Sequence, residues 1–254
     1  MKMSKLVKFT LVSLLTLGLM AYVIYAVFFL SGPDEEERCS AVELVVEKDD
    51  EASMFVDEKD IETILKNANM YPKGMLMRNV DTEKIEEVIK KNEFISKVEC
   101  YKSANGKLCI SAEQRVPVIF VIPDGKDGYF VDAQGNIIPN RNSATNLVVA
   151  SGNIDEKYAS KELAEFGKFL QMDDFWNNQI EQIYVTKNRK GKRVVELVPR
   201  VGDQIVYLGL LDDYEKKLRK LRKFYDRAIG TVGWKKYAQV NLEYDNQIIC
   251  TKRK

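Results

Sequence analysis

The chain has 254 residues, enough for one large domain or two smaller ones, and its 39 Lys and Arg nearly cancel its 38 Asp and Glu, so no global field argues for nucleic acid. Histidine is absent, which removes Ser-His-Asp and Cys-His catalysis and every His-based metal site. Neither a G-x-x-x-x-G-K-[ST] nor a G-x-G-x-x-G loop occurs, and no carboxylate pair, lysine base or cysteine nucleophile carries a signature. The expectation is a protein with no catalysis, cofactor or small-molecule substrate.

In chain order, the first element is "FTLVSLLTLGLMAYVIYAVFFL", Phe9 to Leu30, which carries no charge. As a helix it spans ~33 Å, sufficient for a bilayer core. A cleaved signal peptide is the alternative, but its apolar region is ~7–15 residues long and ends in a small-residue site, whereas this run is longer and is followed by "SGPDEEER". Lys2, Lys5 and Lys8 precede the run, and Asp34 and Glu35–Glu37 follow it. The positive-inside rule then predicts a short cytoplasmic segment 1–8, a transmembrane helix 9–30, a linker 31–40, and everything beyond on the outer side. There the surroundings are oxidising and lack ATP.

Residues 41–117 read as a small α/β unit. Val42–Glu47 is a strand, and "VDEKDIETILKNAN" is a helix with Asp57 as N-cap and Ile61, Ile64 and Leu65 on one face. "NVDTEKIEEVIKKNEFI" is a second helix, capped by Asp81 or Thr82, with Ile85, Val88 and Ile89 inward. "KVECYKSANGKLCISAEQ" is a hairpin. The inward series Val98, Cys100 and Leu108, Ile110, Ala112 agree if Cys100 opposes Ile110 across a loop of Ala104-Asn105-Gly106. That register turns Cys109 away from Cys100 and predicts that Cys39, Cys100, Cys109 and Cys250 stay free; a two-residue Asn-Gly turn would place Cys100 and Cys109 on one face. The unit closes at "QRVPV", where Pro117 interrupts a strand. The order strand, helix, helix, strand, strand is that of a POTRA domain.

From 118 to 254 short strands and tight turns dominate. "GYFVDAQGNIIP" is a hairpin, "NLVVASG" a strand, and "KELAEFGKFLQMDDFWNNQ" a helix with Ser160 as cap and Leu163, Phe166 and Leu170 inward. Ile180–Thr186, Arg193–Pro199 and Gln204–Leu208 form an antiparallel meander. "DDYEKKLRKLRKFYDRAI" is a basic amphipathic helix with Tyr214, Leu218, Leu221, Tyr225 and Ile229 near one face. Its cations fit a solvated face, an acidic protein partner or anionic lipid headgroups. Finally, Val240, Leu242 and Tyr244 alternate with Asn241, Glu243 and Asp245. Tyr237–Tyr244 is expected to be the penultimate strand and Gln247–Thr251 the terminal one, broken at Asp245-Asn246, although one continuous bulged strand also fits. The fold class is therefore α+β: an N-terminal transmembrane helix, a β-α-α-β-β POTRA domain, and a mostly antiparallel β domain with two helices.

The basic N-terminus, single anchor, POTRA-like unit ending in Arg115-Val116-Pro117, "YFVD..G" hairpin and "ELVPRVGDQIVYLG" before a basic helix together resemble the bacterial division family FtsQ, called DivIB in other bacteria. The ending "VNLEYDNQIICTK" most resembles members from the Bacteroidetes. The resemblance implies a non-enzymatic inner-membrane scaffold at the division septum that binds FtsB and FtsL and helps place the septal peptidoglycan synthases, with the POTRA unit meeting other divisome proteins. It also implies a docking edge: Gln247, Ile248, Ile249, Cys250 and Thr251 would accept a strand of FtsB by β-augmentation. Lys216, Arg219, Lys220 and Lys223 would meet its charges, and Tyr244, matching the family's L-x-Y-[DN] ending, would be an aromatic anchor. Tyr244 also continues the inward series and fits a core role. An envelope assembly or transport component is the alternative, though no internal repeat of the POTRA unit occurs. A peptidoglycan hydrolase would need two converging acids, and Glu113, Asp132, Glu196 and Glu243 are scattered over separate strands.

Overall fold

The computed structural model describes residues 5–26, 37–47, 55–141, 146–229 and 233–253. They fall into two compact units, Met1–Glu47 with Val56–Glu113, and Lys48–Phe55 with Gln114–Lys254. Helix α1 (Lys5–Tyr25) opens the chain, and Leu14, Leu15 and Leu17 along it are exposed. Among the described residues no helix is long and apolar enough to cross a membrane. The segment expected to do so, 9–30, runs on into 27–30, outside the described residues.

The first unit continues with β1 (Ala41–Glu47), α2 (Glu58–Asn67), α3 (Thr82–Lys90), β2 (Ile95–Lys102) and β3 (Lys107–Gln114). Its three-stranded sheet has the order β1-β3-β2, with β1 parallel to β3. A parallel pair needs a crossover, and α2 and α3 lie between those strands in the chain. Each helix begins where a side chain satisfies its orphan amides. Asp57 Oδ1 accepts from Asp60 N at 2.8 Å and Asp60 returns the bond, while Asp81 accepts from Lys84 N at 3.2 Å. Ile61 and Leu65 of α2, Ile85 and Ile89 of α3, and Leu108, Ile110 and Ala112 of β3 are buried. In the hairpin, Ser103 N donates to Lys107 O at 2.8 Å around a left-handed Gly106, so counting back along the strands sets Cys100 opposite Ile110. Cys100 and Cys109 are half-buried thiols, and burial pushes that of Cys100 up to about 12.

The second unit is built on one nine-stranded sheet of order β12-β11-β10-β9-β8-β7-β4-β5-β6. In the chain its strands are β4 (Pro117–Pro123), β5 (Tyr129–Asp132), β6 (Ile137–Pro139), β7 (Val149–Gly152), β8 (Ile180–Lys187), β9 (Arg193–Pro199), β10 (Ile205–Gly209), β11 (Tyr237–Asn241) and β12 (Ile249–Lys252). Between β7 and β8 lie α4 (Glu156–Tyr158), a π turn at Ala159–Leu163, α5 (Ala164–Met172) and α6 (Asp174–Gln179). Between β10 and β11 lies α7 (Tyr214–Phe224), extended by a π turn through Ile229. The sheet is mixed: five of its eight neighbouring pairs are antiparallel, in keeping with the expectation of a mostly antiparallel domain, while β4–β7, β7–β8 and β10–β11 are parallel. For the last two pairs the physical reason is that helices connect β7 to β8 and β10 to β11, and a helical crossover returns the chain in the same direction. The expected meander from β8 to β10 is antiparallel throughout.

Three local expectations are corrected. Pro117 opens β4 rather than interrupting a strand, a place where its missing N–H costs no ladder bond. The helix after β7 starts at Glu156, capped by Asp155, which accepts from Tyr158 N at 2.8 Å; Ser160 lies inside the π turn. Asp173 then ends α5 and caps a separate α6, so more than two helices are present. The core joins Leu163, Phe166 and Leu170 of the first helical layer and Leu218 and Leu221 of α7 to Val121, Ala150, Ile183, Leu197 and Val206 of the sheet.

One polar cluster fixes the start of this unit. Asp132 is buried and accepts from Arg115 Nη1 at 2.9 Å, Gln134 N at 3.0 Å, Asn136 N at 2.8 Å and Asn136 Nδ2 at 2.8 Å. Beside it Gly135 is left-handed, and a Cβ there would stand 2.1 Å from the Ser160 carbonyl oxygen. The R-x-P and "YFVD..G" stretches, separate in sequence, therefore meet in one knot.

Candidate partner-binding edge

β12 is the outer strand of the sheet, antiparallel to β11 with Asn241 opposite Ile249, Val240 opposite Cys250 and Gln239 opposite Thr251. Val240 is fully buried, and Ile248 and Cys250 pack in part against the core, so β12 has one face anchored. Ile249, at 44% exposure, and Thr251 look outward. Burial pushes the Cys250 thiol up. At the strand's end Arg253 reaches Asp203 Oδ2 at 3.0 Å and the Asp203 carbonyl at 2.8 Å, tying the ribbon to the turn before β10.

Tyr244 lies outside both strands. β11 ends at Asn241; Leu242 is buried and donates its N–H to Tyr207 O at 2.9 Å, and the chain then turns away. The period-2 series therefore stops two residues short, and Tyr244 is 47% exposed instead of inward. Gln247 is exposed as well, in the connector between the strands.

The basic helix is less open than its composition suggests. Lys216 pairs with Asp245 at 3.1 Å, which holds that carboxyl below the usual range. Lys217 binds Asp212 at 2.5 Å and the Leu210 carbonyl at 2.8 Å. Lys220 donates to the carbonyls of Leu242, Tyr244 and Gln247, and burial draws its ammonium below the ordinary lysine value. Arg222 stacks on Phe175, 4.4 Å from the ring centre, and approaches Asp173 at 3.7 Å. Of the four cations expected to meet a partner, Arg219 and Lys223 stand exposed with no ion pair among the described residues. Lys216 and Lys220 are committed within the chain. Sequence reasoning missed Arg253 and Asp203, because the partners lie 50 residues apart in separate elements and no local pattern marks them. The aromatic pack Phe224, Tyr225, Trp234 and Tyr237 seats the end of α7 against β11, with ring centres 5.0 to 6.3 Å apart. Among the described residues no group of three or more acids and cysteines could hold a metal ion.

The two units define a POTRA-like module followed by a mixed-sheet domain: residues 37–113 match the POTRA-like domain model. Residues 116–251, more than half of the chain, match the model described as FtsQ/DivIB, C-terminal related. The chain belongs to the FtsQ/DivIB family. It is also similar to the cell division protein FtsQ of Rhodothermus marinus, 22% identical over 185 residues that cover 69% of this chain and 67% of that relative. Membership supports a scaffold role in cell division, in a family that is generally non-enzymatic.

Proposed function

We propose that this chain is a single-pass inner-membrane scaffold of the division septum, anchored by 9–30, whose β12 edge takes up a strand of FtsB while FtsL and other divisome proteins join it, the latter through the POTRA-like unit. One observation carries the reading. β12 is an outer strand, and outer strands left open are normally blunted or covered. Here the strand is short, anchored on one face by Ile248 and Cys250, and exposes Ile249 and Thr251 on the other. That suits β-augmentation, in which backbone bonds supply affinity and alternate side chains supply specificity. Tyr244, exposed beside the strand, is the aromatic anchor, and Arg219 and Lys223 are the cations left to meet acidic groups.

The test is co-purification of FtsB from the same cell with the full-length chain in mild detergent. Ile249→Lys and Tyr244→Ala should abolish capture without lowering the thermal unfolding temperature. Retained capture by both variants sinks the docking role of this edge. A fluorescent fusion that spreads evenly around dividing cells would sink the septal assignment.

A further inference from the structure

We propose that Lys220 positions the docking ribbon from behind, by clamping the connector between β11 and β12, and does not itself touch the partner; this rests on the reading of β12 as the docking edge. Residues 242–248 have left one strand and not yet joined the next. Backbone carbonyls in such a segment need donors from elsewhere. Three of them converge on one atom: Lys220 Nζ lies 3.1 Å from the Leu242 oxygen and 3.3 Å from that of Gln247, with the Tyr244 oxygen also bound.

An ammonium has three N–H donors, and three carbonyls use them all. Among the described residues no carboxylate is bonded to it: of the connector's two acids, Asp245 is bonded to Lys216 and Glu243 makes no ion pair with Lys220. A saturated, half-buried ammonium cannot double as a salt-bridge donor to an incoming chain. It can, however, fix where the Tyr244 backbone lies while its ring stays outside, and so fix where Ile249 enters β12 opposite Asn241. Ordering the ribbon before docking removes an entropic cost that would otherwise be met during binding.

Hydrogen–deuterium exchange of the full-length chain in detergent tests the clamp without any partner. Lys220→Met keeps the aliphatic stem and removes the donors. It should raise exchange across 242–252 at least tenfold, leave β8 and β9 unchanged, and leave the unfolding temperature nearly unmoved. Lys220→Arg should restore most of the protection, and Lys216→Ala should have little effect. Unchanged exchange in Lys220→Met overturns the clamp, as does loosening that spreads into β8 and β9 or equal loosening in Lys220→Arg. FtsB capture should fall about tenfold with Lys220→Met and recover with Lys220→Arg; undiminished capture beside a loosened ribbon overturns the positioning role. If the unaltered chain captures nothing, the docking reading fails, while exchange still decides the clamp.

Discussion

Replacing Asp132 by alanine probes the knot that starts the second unit. Asp132 is 1% exposed, and its carboxylate accepts from the Arg115 guanidinium, two backbone amides and the Asn136 side chain. Hydrogen bonds to a charged group contribute ~1.5–3 kcal/mol each, but they do not add, since freed donors relax toward water. Taking one partner from a buried ion pair costs ~3–5 kcal/mol, and Arg115, whose side chain is 21% exposed, would lose this carboxylate. We therefore expect Asp132→Ala to cost ~3–5 kcal/mol. For a domain of this size each kcal/mol moves the melting point by ~3 °C, so the shift is ~9–15 °C. Both tryptophans, Trp176 and Trp234, belong to this unit, so tryptophan fluorescence during a thermal ramp reports its unfolding selectively. Asp132→Asn keeps the volume and some acceptor capacity and should show about half the loss. A shift under ~3 °C for Asp132→Ala would refute the reasoning.

Gly135→Ala should destabilise the same unit by ~2 kcal/mol or more, because φ is +84° and the added carbon meets the Ser160 carbonyl; an unchanged fluorescence melt would contradict the close approach. Leu218→Ala removes a fully buried side chain from the inner face of α7 and should cost ~2–5 kcal/mol in urea unfolding. Burial pushes the phenols of Tyr158 and Tyr225 up to about 12, against ~10 in the unfolded chain. The unfolded state therefore ionises first, so this stabilisation is complete below pH ~10 and falls as pH rises toward ~12. Comparing urea midpoints at pH 9 and 11 should show that fall, and Tyr158→Phe with Tyr225→Phe should blunt it. At neutral pH Tyr158→Phe should be neutral or slightly stabilising, because its buried hydroxyl has no hydrogen-bond partner among the described residues.

How much of the fold is legible in the sequence follows the range of the interactions involved. Asp57 and Asp81 cap their own helices three residues on, and Gly106 sets the turn of its own hairpin, so local chemistry suffices to read the POTRA-like unit. Strand direction in the second unit depends on what connects the strands. The alternation over Ile180–Leu208 reads correctly as a meander, but the parallel pairs β7–β8 and β10–β11 follow from the helices before β8 and after β10. Ser160 suits a cap by residue type alone, whereas Asp155 stands where the chain actually turns into the helix. At the candidate edge, alternation correctly predicts Val240 and Leu242 as buried but carries on past the end of β11 to Tyr244. The charges of α7 are visible in the sequence as a count and not as contacts. Whether a lysine meets solvent, Asp245 or three carbonyls 22 to 27 residues away is decided by how the connector folds back on the helix.

The most direct test of the docking edge is photo-crosslinking in dividing cells, with a photoreactive amino acid in place of Ile249 on β12 or of Ile137 on β6, the opposite outer strand. The account predicts a crosslink to FtsB from position 249 and none from 137. A crosslink from 137 alone, or none from 249 in cells whose septa carry the protein, would contradict it.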